Sequence, residues 1–226
     1  FNYFGTDKGN KLSNPYSKLK EKKLFRGHGF AKYYEKNFYK LKKKKLNILE
    51  IGVWKGASTA SFYHYFKQSK LFAIDRNFKF EYLSKRIHFV FCDTTSKKDL
   101  NSLKNLMKSK KVLSFDIIID DGSHILSDIL KNLIFFFKLL KPNGIYVIED
   151  YKHPNYYPQL NDLKNHFFID KVLFFLKNKK VFKSHILKKE NISYLNKNIK
   201  NIITHEGICI EKGKNISNIA FIYKKK

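Results

Sequence analysis

Short apolar runs alternate with longer amphipathic stretches over most of the chain, beginning at Leu46. The apolar runs predict strands at residues 46–53, 71–74, 87–91, 115–119 and 145–148. Between them, apolar positions at helical spacing predict helices at residues 57–66, 97–109 and 125–140. Strands that alternate with helices form βαβ units, and their parallel strands are buried on both faces.

Both ends of the chain depart from this alternation. Residues 1–45 are polar, aromatic and rich in lysine, with helical spacing at 31–41, and they predict an N-terminal helical cap on a main domain of residues 46–226. A helix is predicted at 160–176, and the lysine- and asparagine-rich stretch up to about residue 198 has no assignable element. Two strands near 208–210 and 216–223, joined by a turn at 212–215, predict an antiparallel hairpin. The predicted fold is α/β: a Rossmann-like, mostly parallel seven-stranded sheet with helices on both faces, ending in this hairpin.

The composition excludes several protein classes. With 43% hydrophobic and 16% aromatic residues, the chain has enough apolar material for a core, so it is neither disordered nor collagen-like. Its two cysteines, Cys92 and Cys209, lie in apolar runs and do not indicate a disulfide framework or a metal site. No apolar run reaches the ~20 residues that span a bilayer, and no signal peptide is visible. We therefore expect a cytoplasmic protein, and the sequence leaves open whether it forms a homo-oligomer.

The formal net charge of +27 suggests a nucleic-acid partner, because clustered cations bind phosphates. However, only Arg26, Arg76 and Arg86 are arginines. Recognition of phosphates and bases favours the bidentate guanidinium group of arginine. An AT-rich genome would also produce a chain rich in Lys, Asn, Ile and Phe without selection for any partner. Nucleic-acid binding is therefore kept as the alternative interpretation.

A glycine turn follows the first predicted strand. The pattern is Glu50-x-Gly52-x-x-x-Gly56, in which glycines allow positive φ angles and the close approach of a ligand to a helix N-terminus. Asp75 ends the second strand, 23 residues after Gly52, where an acid can bind ribose hydroxyls. Asp93 ends the third strand, within reach of an adenine amino group. Together these features favour a nucleoside-containing cofactor over a turn without a ligand and a merely solvated Asp75.

Two further strands each end in a pair of acids, Asp120-Asp121 and Glu149-Asp150. Ligands of open α/β sheets bind outside the carboxyl ends of the strands, where these four acids would converge. Carboxylates that lie together repel one another unless they are protonated or bridged by a cation. The acids therefore predict a divalent cation with oxygen ligands, Mg²⁺ by preference, although one member of each pair is equally suited to capping a helix or pairing with a lysine.

The order of these motifs resembles that of class I S-adenosylmethionine-dependent methyltransferases, and more narrowly the macrocin O-methyltransferase and cephalosporin hydroxylase-like group. The matching segments are Gly5-Thr6-Asp7-Lys8, Gly27-His28-Gly29-Phe30, Tyr33-Tyr34-Glu35, Leu49-Glu50-Ile51-Gly52-Val53, Ile118-Ile119-Asp120-Asp121-Gly122-Ser123-His124 and Gly144-Ile145-Tyr146-Val147-Ile148-Glu149-Asp150. A weaker match continues over residues 208–213. The resemblance implies that S-adenosylmethionine contacts Glu50, Gly52, Trp54, Gly56, Ser58, Asp75, Asp93 and Asp120, and that a metal is bound by Asp121, Glu149 and Asp150.

The implied activity is methylation of a sugar hydroxyl on a glycan, a nucleotide sugar or a glycosylated natural product. The implied metal would ligate and acidify this hydroxyl, and a base must accept its proton. The candidates for the base are His205, His124 and His153. Trp54 and Lys55 depart from the small residues of the family's cofactor turn, and Cys92-Asp93-Thr94 from its usual Gly-Asp-Gln. Because the chain lacks the large N-terminal domain of macrolide-modifying members, we expect a sugar of a surface glycan or its precursor.

Three other functional classes are alternatives to a sugar O-methyltransferase. An RNA methyltransferase or nucleic-acid-binding module would use the basic surface. A nicotinamide oxidoreductase would use Asp75, but the dinucleotide fingerprint GxGxxG is absent. A hydroxylase is disfavoured because no His/His/carboxylate iron triad occurs at a recognisable spacing.

Overall fold

A mixed sheet forms the centre of the molecule. The computed structural model describes residues 1, 3–4, 6–9, 27–77 and 84–226. The strands are β1 (Asn47–Ile51), β2 (Lys70–Asp75), β3 (Ile87–Phe91), β4 (Phe115–Asp120), β5 (Leu140–Glu149), β6 (Ile199–Glu206), β7 (Ile210–Glu211), β8 (Lys214–Asn215) and β9 (Asn218–Lys224). Seven of them form one sheet in the order β3-β2-β1-β4-β5-β9-β6, while β7 and β8 form a small separate ribbon.

The first five strands of the sheet are parallel, and of the other two only β9 runs in the opposite direction. β1 pairs with β2 and β4 in parallel, as do β2 with β3 and β4 with β5. β9 lies antiparallel between β5 and β6. The strand order reverses between β1 and β4, because the chain adds β2 and β3 on one side of β1 and then β4 and β5 on the other, so the carboxyl ends of β1 and β4 border a crevice. The predicted fold class is confirmed.

Helices cover both faces of this sheet. They are α1 (Ala31–Phe38), α2 (Ala57–Tyr65), α3 (Lys97–Ser109), α4 (Leu126–Lys138), α5 (His153–Tyr156), α6 (Ile169–Lys177) and α7 (Lys189–Asn198). Alternate strand residues face opposite sides, so Ile117 and Ile119 pack with α1 and α2, while Ile118 packs with α3, α4, α6 and α7. No helix of the described residues is long and apolar enough to cross a membrane.

The N-terminal helix packs directly on the sheet. Tyr34 and Phe38 of α1 are buried and contact the rings of Phe62, Phe66 and Phe221. Helix α1 therefore shares its core with α2 and β9. The boundary of the cap at residue 45 stays a prediction, and residues 10–26 lie outside the described part of the chain.

Three elements near the C-terminus differ from the sequence predictions. The helix predicted at 160–176 is confined to Ile169–Lys177, because Asn165 has a positive φ of 56° that an α-helix cannot contain. The stretch left unassigned holds α7, where Ile192 and Leu195 are buried one turn apart, and β6. The partner of β9 is consequently β6, whereas 208–215 contains only the short β7–β8 ribbon.

Candidate active site

A cavity of about 440 Å³ lies at the carboxyl ends of the parallel strands. It adjoins the glycine turn after β1, the end of β2, the segment after β3 and the Asp-Asp-Gly-Ser-His segment after β4. The predicted site residues along its wall are Gly52, Trp54, Ser58, Asp75, Asp93, Asp121 and His124. The topology thus collects side chains from four strand ends around one crevice.

The glycine turn has left-handed backbone conformations at both of its glycines. Gly52 has φ +86°, and a Cβ atom there would lie 1.9 Å from the backbone oxygen of Asp121, so any side chain is excluded. Gly56 is also left-handed and begins helix α2. Asp75 stabilises the turn because its Oδ2 accepts the backbone N–H groups of Val53 and Trp54, both at 2.8 Å. The exposed ring of Trp54 lies at the wall of the cavity.

Glu50 lies behind this turn and not in the cavity. Its carboxylate accepts hydrogen bonds from the hydroxyl groups of Ser58 and Thr59, the latter at 2.5 Å. Burial raises the pKa of Glu50 to about 7, although Lys8 and the two hydroxyl groups oppose this shift. Glu50 therefore fixes the start of helix α2 from below, and it reaches the cavity only through Ser58.

Asp93 and Asp120 have different environments. Asp93 borders the cavity, and hydrogen bonds from the backbone and hydroxyl of Thr95 lower the pKa of its carboxyl group. Asp120 is buried beneath the site, where it accepts hydrogen bonds from Tyr146 at 2.9 Å and Asn132 at 3.4 Å. Burial raises the pKa of Asp120 to about 6. The carboxyl group of Asp120 thus points into the protein and not towards the cavity that it was predicted to serve.

The acids predicted to bind a metal enclose a buried lysine. Lys8 Nζ lies 2.5 Å from Asp121 Oδ2 and 2.9 Å from Glu149 Oε2, and Lys8 is only 1% exposed. Burial disfavours the charged lysine, but Asp121 and Glu149 raise the pKa of Lys8 well above its ordinary value. Burial raises the pKa of Glu149, although the positive charge of Lys8 opposes this shift. Tyr34 donates a hydrogen bond to the other oxygen of Glu149.

Asp150, the third predicted metal ligand, is surrounded by histidines. His28 Nδ1 lies 3.0 Å from Asp150 Oδ2, and His153 Nε2 lies 3.9 Å from Asp150 Oδ1. Burial alone would lower the pKa of His28, but contacts with Asp150 and Cys209 raise it to about 11. The pKa of Asp150 is lowered despite its burial, because His28 stabilises the carboxylate. One ligand atom from each of His124, Asp150 and His153 lies within 4.8 Å of the others.

The three candidate bases are not equivalent. His124 borders the cavity with φ 55°, its Nε2 lies 3.6 Å from Asp121 Oδ1, and its ring packs on that of His153. His153 does not line the cavity, and its buried Nε2 has no hydrogen-bond partner among the described residues. Burial lowers the pKa of His153 to about 4. His205 lies on β6, outside the cavity wall, and stacks on Tyr33.

Three residues around the acids had no role in the sequence analysis. Lys8, His28 and Tyr34 come from the N-terminal part of the chain, and each contacts at least one of the acids at the ends of β4 and β5. They stand in the segments that carry the family resemblance, which is the one signal that marked them. Each of the three lies more than 100 positions along the sequence from the acid that it contacts, so no local pattern reveals these contacts.

Comparisons with known proteins agree with this geometry. Residues 49–151 match a family model described as a methyltransferase domain. Demethylmacrocin O-methyltransferase of Streptomyces fradiae is 30% identical over 130 residues, which cover 54% of this chain and 32% of that protein. A rhamnosyl tetracenomycin-C 2'-O-methyltransferase of Streptomyces olivaceus is 30% identical over 138 residues, covering 58% of this chain and 35% of that protein.

A solved structure shares the fold. The MycE methyltransferase of mycinamycin biosynthesis, in complex with Mg, S-adenosylhomocysteine (SAH) and mycinamycin VI, superposes with a TM-score of 0.64 at 23% identity. The superposition covers 87% of this chain and 50% of the MycE chain. The chain thus spans about a third of the length of the two curated relatives that it matches. Residues 49–151 thus match a methyltransferase domain, and the chain is similar in sequence to sugar O-methyltransferases of the macrocin and tetracenomycin pathways and in fold to MycE.

Proposed function

We propose that this protein transfers a methyl group from S-adenosylmethionine to a hydroxyl group of a sugar. One observation carries the proposal: the cavity beside the glycine turn and Asp75 also borders Asp121 and His124. A cofactor cradle and a set of acid and base groups therefore share one space. The relatives named above are O-methyltransferases, and one of them is named for a rhamnosyl 2'-hydroxyl.

The residues present suit the cofactor. A volume of about 440 Å³ lies within the ~300–1,000 Å³ usual for ligand pockets. Gly52 borders the cavity, and its backbone packs so closely on that of Asp121 that only glycine fits there. In this proposal Asp75 and Asp93 hold the ribose and the adenine, with Trp54, Gly56 and Ser58 along the turn. The bound cofactor supplies a methyl group on a positively charged sulfur.

The acids also suit a divalent cation. Asp121 and Glu149 already hold a cationic group, the ammonium of Lys8, between their oxygens. Two carboxyl groups thus face a single ammonium group, and Asp150, which is paired with His28, adds a third carboxylate nearby. We propose that Asp121, Glu149 and Asp150 hold Mg²⁺, which would supply Lewis-acid chemistry at the acceptor hydroxyl.

His124 is the proposed base. During transfer, the acceptor oxygen bonds to the methyl carbon while the carbon–sulfur bond breaks, and the hydroxyl proton must pass to another group. His124 borders the cavity, whereas neither His153 nor His205 is part of the cavity wall. Asp121, 3.6 Å from His124 Nε2, is placed to stabilise the imidazolium that forms. His153 packs on His124 and restricts its ring.

The acceptor is proposed by class only. We propose a sugar within a glycan, a nucleotide sugar or a glycosylated natural product, methylated in the cytoplasm, where such activated precursors and the cofactor are made. Lysines such as Lys55 at the cavity wall would attract an acceptor that carries negative charge. Assembly of the chain into a homo-oligomer is compatible with this function and is not required by it.

Calorimetry tests the cofactor half of this proposal. We expect S-adenosylmethionine and SAH to bind with micromolar affinity, and the absence of heat across a range of salt concentrations would contradict the proposal. A screen of nucleotide sugars and glycan fragments with labelled S-adenosylmethionine, with and without EDTA, tests the other half. Incorporation of label into a sugar supports the proposal, and incorporation only into RNA would favour the alternative suggested by the charge of +27.

A further inference from the structure

Lys8 occupies the position that the proposed divalent cation requires. Its ammonium group contacts one oxygen of Asp121 and one of Glu149, at 2.5 and 2.9 Å. Divalent cations bind carboxylate oxygens at about 2.0–2.6 Å. A metal ion and the Lys8 ammonium therefore cannot bridge the same two oxygens at the same time.

The backbone around Lys8 is anchored. The carbonyl oxygen of Lys8 accepts a hydrogen bond from the N–H of Ala31 at 3.1 Å, and Gly29 N–H donates to the carbonyl of Gly9 at 2.9 Å. The N–H of His28 donates to the carbonyl of Asp7. Residues 7–9 are thus attached to residues 28–31, immediately before and within the start of α1. This attachment holds the Lys8 side chain at the ends of β4 and β5.

The Lys8 side chain has a place to go when it leaves the acids. Lys8 borders the cavity that also adjoins Asp7 and Asp75. Rotation about its side-chain bonds can carry the ammonium group from the buried acids into this cavity while the backbone contacts persist. The movement exchanges a monovalent ammonium for a divalent ion between two buried carboxylates.

We propose that Lys8 is a built-in competitor for the metal site: its ammonium group holds Asp121 and Glu149 when no divalent cation is bound, and it must be displaced when one binds. The inference rests on the proposed metal ligands and adds a residue that controls their occupancy. Because of this competition, the apparent affinity for the cation equals the intrinsic affinity multiplied by the fraction of molecules in which the two carboxylates are free. It also keeps the two acids paired in the metal-free protein, where unpaired buried charges are strongly destabilising.

Direct binding of Mn²⁺, measured by calorimetry and by electron paramagnetic resonance of the free ion, tests the proposal without any turnover. Lys8→Met keeps the length of the side chain and removes its charge. We expect Lys8→Met to bind Mn²⁺ at least about tenfold more tightly than the unmodified protein does. Lys141→Met is the matched control, because Lys141 also forms an ion pair, with Asp116 at 2.8 Å at the opposite edge of the sheet. Its Mn²⁺ affinity should be unchanged.

Thermal unfolding provides the second measurement. Without metal, Lys8→Met should have a lower Tm than the unmodified protein. Saturating Mn²⁺ should raise the Tm of Lys8→Met by more than it raises the Tm of the unmodified protein. If Lys8→Met does not fold without metal, Lys8→Gln, which retains a hydrogen-bond donor to the acids, replaces it in both measurements.

Equal Mn²⁺ affinity in Lys8→Met and the unmodified protein would overturn the proposal and would point to His124, Asp150 and His153 as an independent cation site. Weaker binding in Lys8→Met would also overturn it, because Lys8 would then support the metal. SAH binding is measured on the same samples. If Lys8→Met does not bind Mn²⁺ more tightly than the unmodified protein but SAH binding is intact, only this inference is rejected. If the unmodified protein does not bind SAH, the proposed function is rejected.

Discussion

The carboxylate of Asp75, at the end of β2, accepts the backbone N–H of Trp54 at 2.8 Å, so the acid predicted to hold a ribose also holds the glycine turn. Its Oδ2 accepts the N–H of Val53 as well, and Oδ1 accepts that of Asn77 at 2.9 Å. Each carboxylate oxygen has two acceptor positions, so Oδ1 retains one for a ligand. One side chain thus shapes the cradle and faces its contents.

Asp75→Ala should therefore impair both stability and cofactor binding. Hydrogen bonds to a charged group contribute about 1.5–3 kcal/mol each, and their loss frees the turn. We expect unfolding free energy to fall by about 2 kcal/mol and SAH affinity to fall by about tenfold or more. Urea unfolding and calorimetry measure the two effects. Asp116→Ala is the matched control, since Asp116 also accepts a backbone N–H, from Asn47 at 2.7 Å, but lies at the opposite edge of the sheet. Unchanged SAH binding in Asp75→Ala would contradict the assigned role.

Glu50 should make the protein less stable as the pH rises towards neutrality. Its pKa is raised from 4.5 to about 7, so between these pH values the folded protein retains a proton that the unfolded chain has lost. Stability from this group is full below pH 4.5 and falls as the pH rises through 7, by roughly 3 kcal/mol in total. Glu50→Gln removes this dependence. Between pH 4.5 and 8, the unfolding free energy of Glu50→Gln should therefore rise relative to that of the unmodified protein.

Urea unfolding at a series of pH values provides this measurement. Glu190→Gln, which removes an exposed acid in the first turn of α7, is the control and should show a nearly constant difference. A constant difference for Glu50→Gln as well would mean that the carboxyl group ionises alike in the folded and unfolded chains.

The histidines should differ in their effect on methyl transfer. A general base contributes about 10²–10⁴-fold to rate, so His124→Gln should lower kcat by an amount in this range while SAH binding persists. His205→Gln removes a histidine that lies outside the cavity wall and should leave kcat near its original value. Single-turnover transfer to an acceptor found in the screen gives the rates. A comparable loss of kcat in both variants would exclude a specific role of His124 as the base.

The N-terminal helix should contribute directly to global stability. Phe38 of α1 is fully buried and packs on Phe66 and Phe221, with ring centroids 5.6 and 6.0 Å apart. Replacement of a buried Phe by Ala costs about 3–5 kcal/mol, so Phe38→Ala should lower the unfolding free energy by this amount. Tyr39→Ala, at the adjacent and 66% exposed position, should cost under about 0.5 kcal/mol. Two separate unfolding transitions would instead indicate that residues 27–45 fold independently of the sheet.

Nucleic-acid binding should prove weak and sensitive to salt. The protein carries a net charge of +27, supplied almost entirely by lysine, and such a surface binds phosphates without reading sequence. Fluorescence anisotropy with labelled RNA and DNA should show affinity that disappears near physiological ionic strength. Binding that survives at this ionic strength with a preference for one RNA sequence would favour the alternative function.

Much of the sheet could be predicted because most of its strands are local apolar runs. Residues 71–74, 87–91 and 115–119 became β2, β3 and β4 with small shifts at their ends. β6 could not be predicted, since its buried positions, Ile199 and Ile202, are separated by exposed polar residues and follow no simple alternation. Its position was decided by pairing with β9, which is a long-range contact.

The site divides in the same way. The glycine turn and the acids after β4 and β5 are local motifs, and parallel strands necessarily bring their carboxyl ends to one edge, so the sequence by itself determined that these groups meet. It did not determine which of them face the cavity: Asp75 and Asp93 do, while Glu50 and Asp120 point into the protein towards hydroxyl groups. Nor did it determine that Lys8, 141 positions from Glu149, forms ion pairs with Glu149 and Asp121. Only the tertiary structure decided these contacts, because burial forces each charged or polar group to find a partner wherever the folded chain provides one, at any distance along the sequence.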